Sequence, residues 1–251
     1  MNKAPPAIFS RNRCAAKWGR ARARYKCDNS SSFLLDDLTG DVIERVGFMQ
    51  LQPQRALVVG DWSDSVATAL SDLGADIAVG QLGHFNEELP APAGSRFDLI
   101  VHLMGLGMVN DLPGALIHAR ATLAEGGVFI AAFPGAGSLS SLRNIALAAD
   151  GERPAPRIHP MIDSASSSAL LQRAGFGRQV VDSHTLSVRY RSLGQLVSDL
   201  RDHGLTASLE KPSPALGRQW LSRAQEAFDT LRDEDGKVTE NFEMMTLTAW
   251  K

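Results

Sequence analysis

Cysteine is scarce: Cys14 and Cys27 are the only two in 251 residues. That excludes a disulfide-built scaffold and a four-cysteine zinc site. No apolar run approaches the ~18 residues that a membrane-crossing helix needs. None of the six histidines has a second histidine four residues away, so no helical metal-ligating pair is present. Gly105 and Gly107 lack the Lys-Ser/Thr that completes a phosphate-binding loop. Ser138–Ser141 lacks the Gly-x-Ser-x-Gly elbow of a serine hydrolase. No internal repeat is visible. What is present is a balanced chain, 44% apolar and 22% charged with net charge −2. That composition excludes disorder and supports a sizeable core. Its length fits one large domain or two small ones.

Charge is uneven along the chain. The first 27 residues carry Lys3, Arg11, Arg13, Lys17, Arg20, Arg22, Arg24 and Lys26 and no acid. Three readings follow: an Arg-rich transit peptide, a surface for nucleic acid, anionic lipid or an acidic partner, or a solvated helix. No apolar core of a secretory signal is seen, so a reducing cytoplasm is the expected compartment.

Arg55–Gly60 is a short β-branched run closed by glycine, the pattern of a buried parallel strand. A helix is expected over Ser63–Leu73, with Val66, Ala69, Leu70 and Leu73 on one face and Ser63 as its N-cap. Further strands are expected at Ala75–Val79, Phe97–Val101 and Val128–Phe133. Helices are expected at Asp111–Leu123, ended by Gly126 and Gly127, and at Ser138–Ala149. This alternation means βαβ units and a parallel sheet. Later come helices at Ser166–Ala174 and Ser192–His203, and strands at Gln179–Tyr190 and Thr239–Trp250. Between them lies a helix whose Leu216, Trp220, Leu221, Ala224, Phe228 and Leu231 read as a core stripe. The late strands suggest an antiparallel edge.

The run Phe97–Gly135 resembles the fourth and fifth strands of class I S-adenosylmethionine-dependent methyltransferases. Further segments are similar to one branch of that family, in order: Ile8–Arg13, Phe33–Leu38, Leu139–Arg143, His159-Pro160, Leu170–Phe176, Val188–Tyr190, Leu196–Gly204 and Phe242–Trp250. That branch contains the malonyl-carrier methyltransferase of biotin synthesis and the methyltransferase-fold assembly factors of respiratory complex I, for which arginine hydroxylation is known. The resemblance implies an α/β Rossmann-like, doubly wound, mostly parallel seven-stranded sheet with an antiparallel edge and ligand beyond the strands' carboxyl ends. It implies a helical cap over residues 1–50 and an α/β domain over 51–251, with a helical insertion around 191–232. Residues 74–96 are too few for the usual strand, helix and strand with their loops, so one element is expected to be missing there.

The resemblance places S-adenosylmethionine against Gly60, Asp61, Ser63, Gln81 and His102. It places an acceptor, more weakly, near Arg143, His159 and Tyr190, and it names no catalytic base and no metal. Several positions depart from the family pattern. Trp62 and Asp64 stand where its glycine turn has the second and third glycines, which is expected to narrow the ligand mouth. No acid follows the second strand; Gln81 can hydrogen-bond a ribose only through an amide. Gly107-Met108 replaces an aromatic landmark. Pro154–Pro160 reads either as a lid or as a surface connection. Cys14 and Cys27 sit among cations that would lower a thiol pKa if exposed. Two functions compete. One is methyl transfer to a small-molecule or protein acceptor. The other is a non-catalytic or hydroxylase-like assembly factor that holds a protein client, such as a complex I subunit, through the basic N-terminal helix. No membrane span is expected, and nucleic acid is the less favoured partner.

Overall fold

The computed structural model describes residues 7–27, 30–92 and 94–251; Lys3 of the basic segment and Ala93 lie outside them. Six strands form one sheet in the order β2-β1-β3-β4-β6-β5. They are β1 (Arg55–Val59), β2 (Asp76–Gly80), β3 (Phe97–Leu103), β4 (Leu123–Pro134), β5 (Arg178–Tyr190) and β6 (Val238–Trp250). The pairs β1–β2, β1–β3 and β3–β4 are parallel. The pairs β4–β6 and β6–β5 are antiparallel. The expected antiparallel edge is therefore present, and the alternating reading of the first half holds. β-branched and apolar runs such as Leu57-Val58-Val59 and Leu99–Val101 are buried, as strands covered on both faces must be.

The family's seven strands are six here. Between Gly80 and Phe97 the described residues form neither helix nor strand. The shortage of residues in that interval has cost both a strand and its crossover helix. β2 is left as a sheet edge, with Val79 58% exposed.

The helices are α1 (Arg11–Tyr25), α2 (Phe33–Phe48), α3 (Ser65–Asp72), α4 (Leu112–Thr122), α5 (Ser140–Asp150), α6 (Ser164–Arg173), α7 (Leu193–Asp202) and α8 (Arg218–Thr230). α2 packs on α3, α4 on α6, α5 on α8 and α1 on α7. Cys14 and Trp18 of α1 and Leu34, Leu35, Leu38 and Val42 of α2 join the main core with β1, β3 and β4. Ile145, Tyr190, Leu196, Ala224 and Phe228 form a smaller core between α5, α7 and α8.

Two local expectations are corrected, and the condition set for Cys14 is not met. α4 ends at Thr122, and β4 begins at Leu123, before the two glycines. Gly126, at φ +75°, instead accompanies a register shift between β3 and β4, as an inserted residue in a strand requires. On α8 only Ala224 and Phe228 are buried, while Leu216, Leu221 and Leu231 are 50%, 51% and 43% exposed. That stripe is wider than the surface it meets. Cys14 is buried, and burial, then the Glu87 charge, push its thiol up to about 11; the surrounding cations do not activate it.

Candidate functional site

The strand order reverses between β1 and β3, and in open α/β sheets the crevice beyond this point is where ligands bind. Gly60 follows β1 and Gly105 follows β3. Gly60 has φ +87°, and a Cβ there would collide with the Leu103 carbonyl oxygen. A Cβ at Gly105 would lie 3.0 Å from His102 Cε1 and would collide with the Leu82 side chain. The Leu82 Cγ also lies 3.3 Å from the Cβ position of Gly60. Leu82 thus packs between the two glycines and is itself buried.

The mouth is filled by Leu82, not by the Trp62 indole or the Asp64 carboxylate. Trp62 is half-buried against the core, and Asp64 is exposed in the left-handed region at φ 59°. Losing the strand and helix after β2 explains why. The chain must return from Gly80 to Phe97 across the sheet's carboxyl end, and it brings Leu82 over the crevice.

Asp61 is buried and turned toward α3. It accepts from the Val66 and Ala67 N–H groups at 2.8 and 3.0 Å and from the Ser63 hydroxyl at 2.7 Å. Ser63 was expected to be the N-cap, but that position is Asp64, whose side chain makes no cap bond. The Ser65 N–H goes to the Ser63 hydroxyl oxygen at 3.3 Å, and those of Val66 and Ala67 go to Asp61, so the helix end that could hold a ligand anion is occupied by the protein's own side chains. Gln81 is exposed, and its backbone carbonyl accepts from His84 and Phe85 N–H.

His102, at the end of β3, is buried, and its Nε2 lies 3.0 Å from Glu87 Oε1. Burial pushes the Glu87 carboxyl up. The His102 hydrogen bond and charge, with backbone and Arg11 contributions, outweigh that, and its pKa lies below the ordinary value. The sequence reading missed Glu87 because it sits in the irregular segment, where no periodicity announces it. It also missed Asn110, which follows the 3₁₀ turn Leu106–Met108. The Asn110 side chain accepts from Ile8 and Phe9 N–H at 2.8 Å each and donates to the Phe9 carbonyl at 3.0 Å. Glu88 accepts from the N–H groups of Asn110 and Asp111. Together these bonds tie the entry to α1 to the β3–α4 connection.

The three weaker sites do not converge on one point. Tyr190 is wholly buried in the smaller core. Its phenol pKa is raised by burial and by Asp199. Arg143 sits on the first turn of α5, where buried Glu240 accepts from Ser141 and Leu142 N–H at 3.1 and 2.7 Å. His159 is buried against the edge of Phe9. Burial, then the Arg143 charge, push its pKa down to about 4, so it is neutral at pH 7. The Pro154–Pro160 loop is anchored by Asp150, which accepts from Arg157, Ala155 N–H and Trp220 Nε1. Ile158 and His159 line a cavity beside α5. Among the described residues no cluster of metal-ligating side chains is found, and no helix is long and apolar enough to cross a membrane.

A model of the methyltransferase domain matches residues 48–178, the stretch that carries the switch point and its glycines. The chain belongs to the methyltransferase domain family. It is 33% identical over 161 residues to the human protein named arginine-hydroxylase NDUFAF5, mitochondrial, covering 62% of this chain and 47% of that one. It is 28% identical over 159 residues to the malonyl-[acyl-carrier protein] O-methyltransferase of Xylella fastidiosa, covering 63% and 53%. The chain thus spans about half the length of the curated relatives it matches. Among solved structures, the [4+2]-cyclase SpnF superposes with TM-score 0.51 at 14% identity, over all of this chain and 99% of that one. The YcgJ protein of Bacillus subtilis gives 0.51 at 11%, over 86% and 98%. These likenesses show the fold, and a cyclase among them shows that the fold does not dictate the reaction.

S-adenosylmethionine is the cofactor of this fold family. Tested against it, the crevice gives a divided answer. Gly60 and Gly105 at the switch point make a floor without side chains, which suits close approach of a ligand. What stands closest is the Leu82 side chain at Gly105 and the Leu103 backbone carbonyl, with Leu82 behind it, at Gly60. The Asp61 cap and the lack of an acid after β2 remove two polar partners that the family supplies.

Proposed function

We propose that the protein is an S-adenosylmethionine-dependent methyltransferase with weak cofactor binding. The cofactor would lie over Gly60 and Gly105 in the space that Leu82 takes. The single observation behind this is the pair of glycines at the two strand ends, each without room for a Cβ. When bound, the cofactor supplies an electrophilic methyl group, so positioning is the main task left to the protein. Gly60 and Gly105 would give backbone approach, Gln81 an amide for the ribose, and His102, held by Glu87, a fixed imidazole at the end of β3. Asp61 and Ser63 would act indirectly, by holding the turn and α3. The acceptor, a small molecule or a protein, would approach from the side of His159 and Arg143. Free Cys14 and Cys27 suit a reducing compartment such as the cytoplasm. Titration calorimetry with S-adenosylhomocysteine tests the reading. Saturable binding that Gly105→Val removes supports it; no heat at millimolar ligand from a folded protein contradicts it.

A second reading is a methyltransferase-fold assembly factor that holds a protein client without methyl transfer. Asp61's engagement by α3 and the missing acid favour it. Arg20 and Arg22 are exposed on α1, whereas Arg24 is tied to Asp202 and Ser198. Charge reversal at Arg20 and Arg22 should then weaken capture of an acidic client, such as a respiratory complex subunit. Unchanged capture would exclude this surface.

A further inference from the structure

A second space is walled by other residues than the Leu82 crevice. It is a cavity of about 440 Å³ between α1, α5, α7 and the loops 156–159 and 205–216, within the size range of small-molecule sites. Its walls are of two kinds. Leu139, Leu142, Ala146, Leu200 and Leu205 make an apolar surface. Arg13 and Lys17 of α1 and Arg201 of α7 bring three cations to the same space. The neighbouring cations are neutralised: Arg24 pairs with Asp202, and Arg157 with Asp150 at 2.7 Å while lying over the Trp220 ring. Among the described residues Arg13, Lys17 and Arg201 have no such partner. The Lys17 pKa lies below its ordinary value, through burial and then the charges of Arg20, Arg201 and Arg13. One sign of charge over a low-dielectric wall concentrates counter-ions. Two buried polar groups face the same space. Thr206 Oγ1 is buried and has no hydrogen-bond partner among the described residues. His159, 6% exposed, presents an imidazole to it. Unpaired buried hydroxyls are costly and point to an unmet partner.

We infer that this cavity binds a small amphipathic anion, with a carboxylate or phosphate head toward Arg13, Lys17 and Arg201 and an apolar body along Leu142, Ala146 and Leu200. The apolar wall fits the body, and the cations and the unpartnered hydroxyl fit the head. The inference does not rest on the methyl-transfer reading, because the cavity's lining includes neither Leu82 nor Gly60 nor Gly105.

The test is titration calorimetry of the full chain with decanoate, decyl phosphate, decanol and decyltrimethylammonium, each below its micelle concentration. At least one anion should bind about tenfold or more tighter than decanol, the ammonium should not bind, and added salt should weaken the anion. The triple variant Arg13→Gln, Lys17→Gln, Arg201→Gln should lose about tenfold in anion affinity. Its melting temperature should not fall, because like charges are removed. Leu82→Ala should leave anion binding unchanged, which separates this site from the cofactor crevice. Decanol binding as tightly as the anions, a triple variant with unaltered affinity, or no binding by any probe would each overturn the inference.

Discussion

Leu82 shows how one side chain changes the use of a site. Moving a buried leucine into water costs about 1.5–3 kcal/mol, so any ligand that displaces it starts at a deficit of roughly ten- to a hundredfold in affinity. Asp61 makes a separate prediction. Asp61→Ala removes the acceptor for two N–H groups at the start of α3 and should cost about 1–2 kcal/mol, read as a lower urea midpoint. A stability within 0.3 kcal/mol of wild type would mean that α3 does not depend on this cap. Gly60 and the placement of His102 at the end of β3 were legible from the strand pattern and the family likeness. The orientation of Asp61 was not, because the same Gly-Asp-Trp-Ser-Asp string serves a turn that faces the ligand or one that faces the helix. Leu82 was invisible for a related reason: nothing local distinguishes a leucine that plugs a crevice from one that packs in a core.

At the scale of elements, the interval from β2 to β3 is decisive. Counting residues between Gly74 and Arg96 correctly anticipated a loss, but not that strand and helix would both go. Removing the strand also removes the need for a crossover, and length alone cannot show that. Two other connections carry measurable weight. Asn110 makes three hydrogen bonds to Ile8 and Phe9. Asn110→Ala should free the entry to α1, raising amide exchange over 8–14 at a global cost of about 1–3 kcal/mol; unchanged exchange there would show that Asn110 does not hold the entry to α1. Asp150 is buried and paired with Arg157, whose guanidinium lies over the Trp220 ring. Asp150→Ala leaves that guanidinium without its partner and should cost about 3 kcal/mol. It should also speed tryptic cleavage after Arg153 and Arg157; an unchanged cleavage rate would contradict the anchoring role.

For the molecule as a whole, the two cores and single sheet explain why the fold was readable: alternation, strand-ending glycines and β-branched runs all agree. Partial burial of α8 was less so, because a periodic stripe records helicity and not how much surface awaits it. The whole-molecule charge state gives one further prediction. His159 and His203 are buried, and burial drives each pKa down to about 4, with the Arg143 charge adding to the fall at His159 and Asp202 partly opposing it at His203. The unfolded chain takes up protons at these residues below about pH 6.5, while the folded protein does not until about pH 4. Stability should therefore be full above pH 6.5 and fall as pH drops toward 4, by at most about 1.4 kcal/mol per unit for each histidine. Urea midpoints at pH 7 and 5 measure it, and His203→Asn should flatten the slope; a stability that is level between these pH values would refute it. Whether Leu82 blocks the glycine-floored crevice is decided by calorimetric titration of S-adenosylhomocysteine into wild type and Leu82→Ala under identical conditions. Wild type should bind weakly and the variant about ten- to a hundredfold tighter. Tight wild-type binding that Leu82→Ala does not improve would show that Leu82 does not block the crevice.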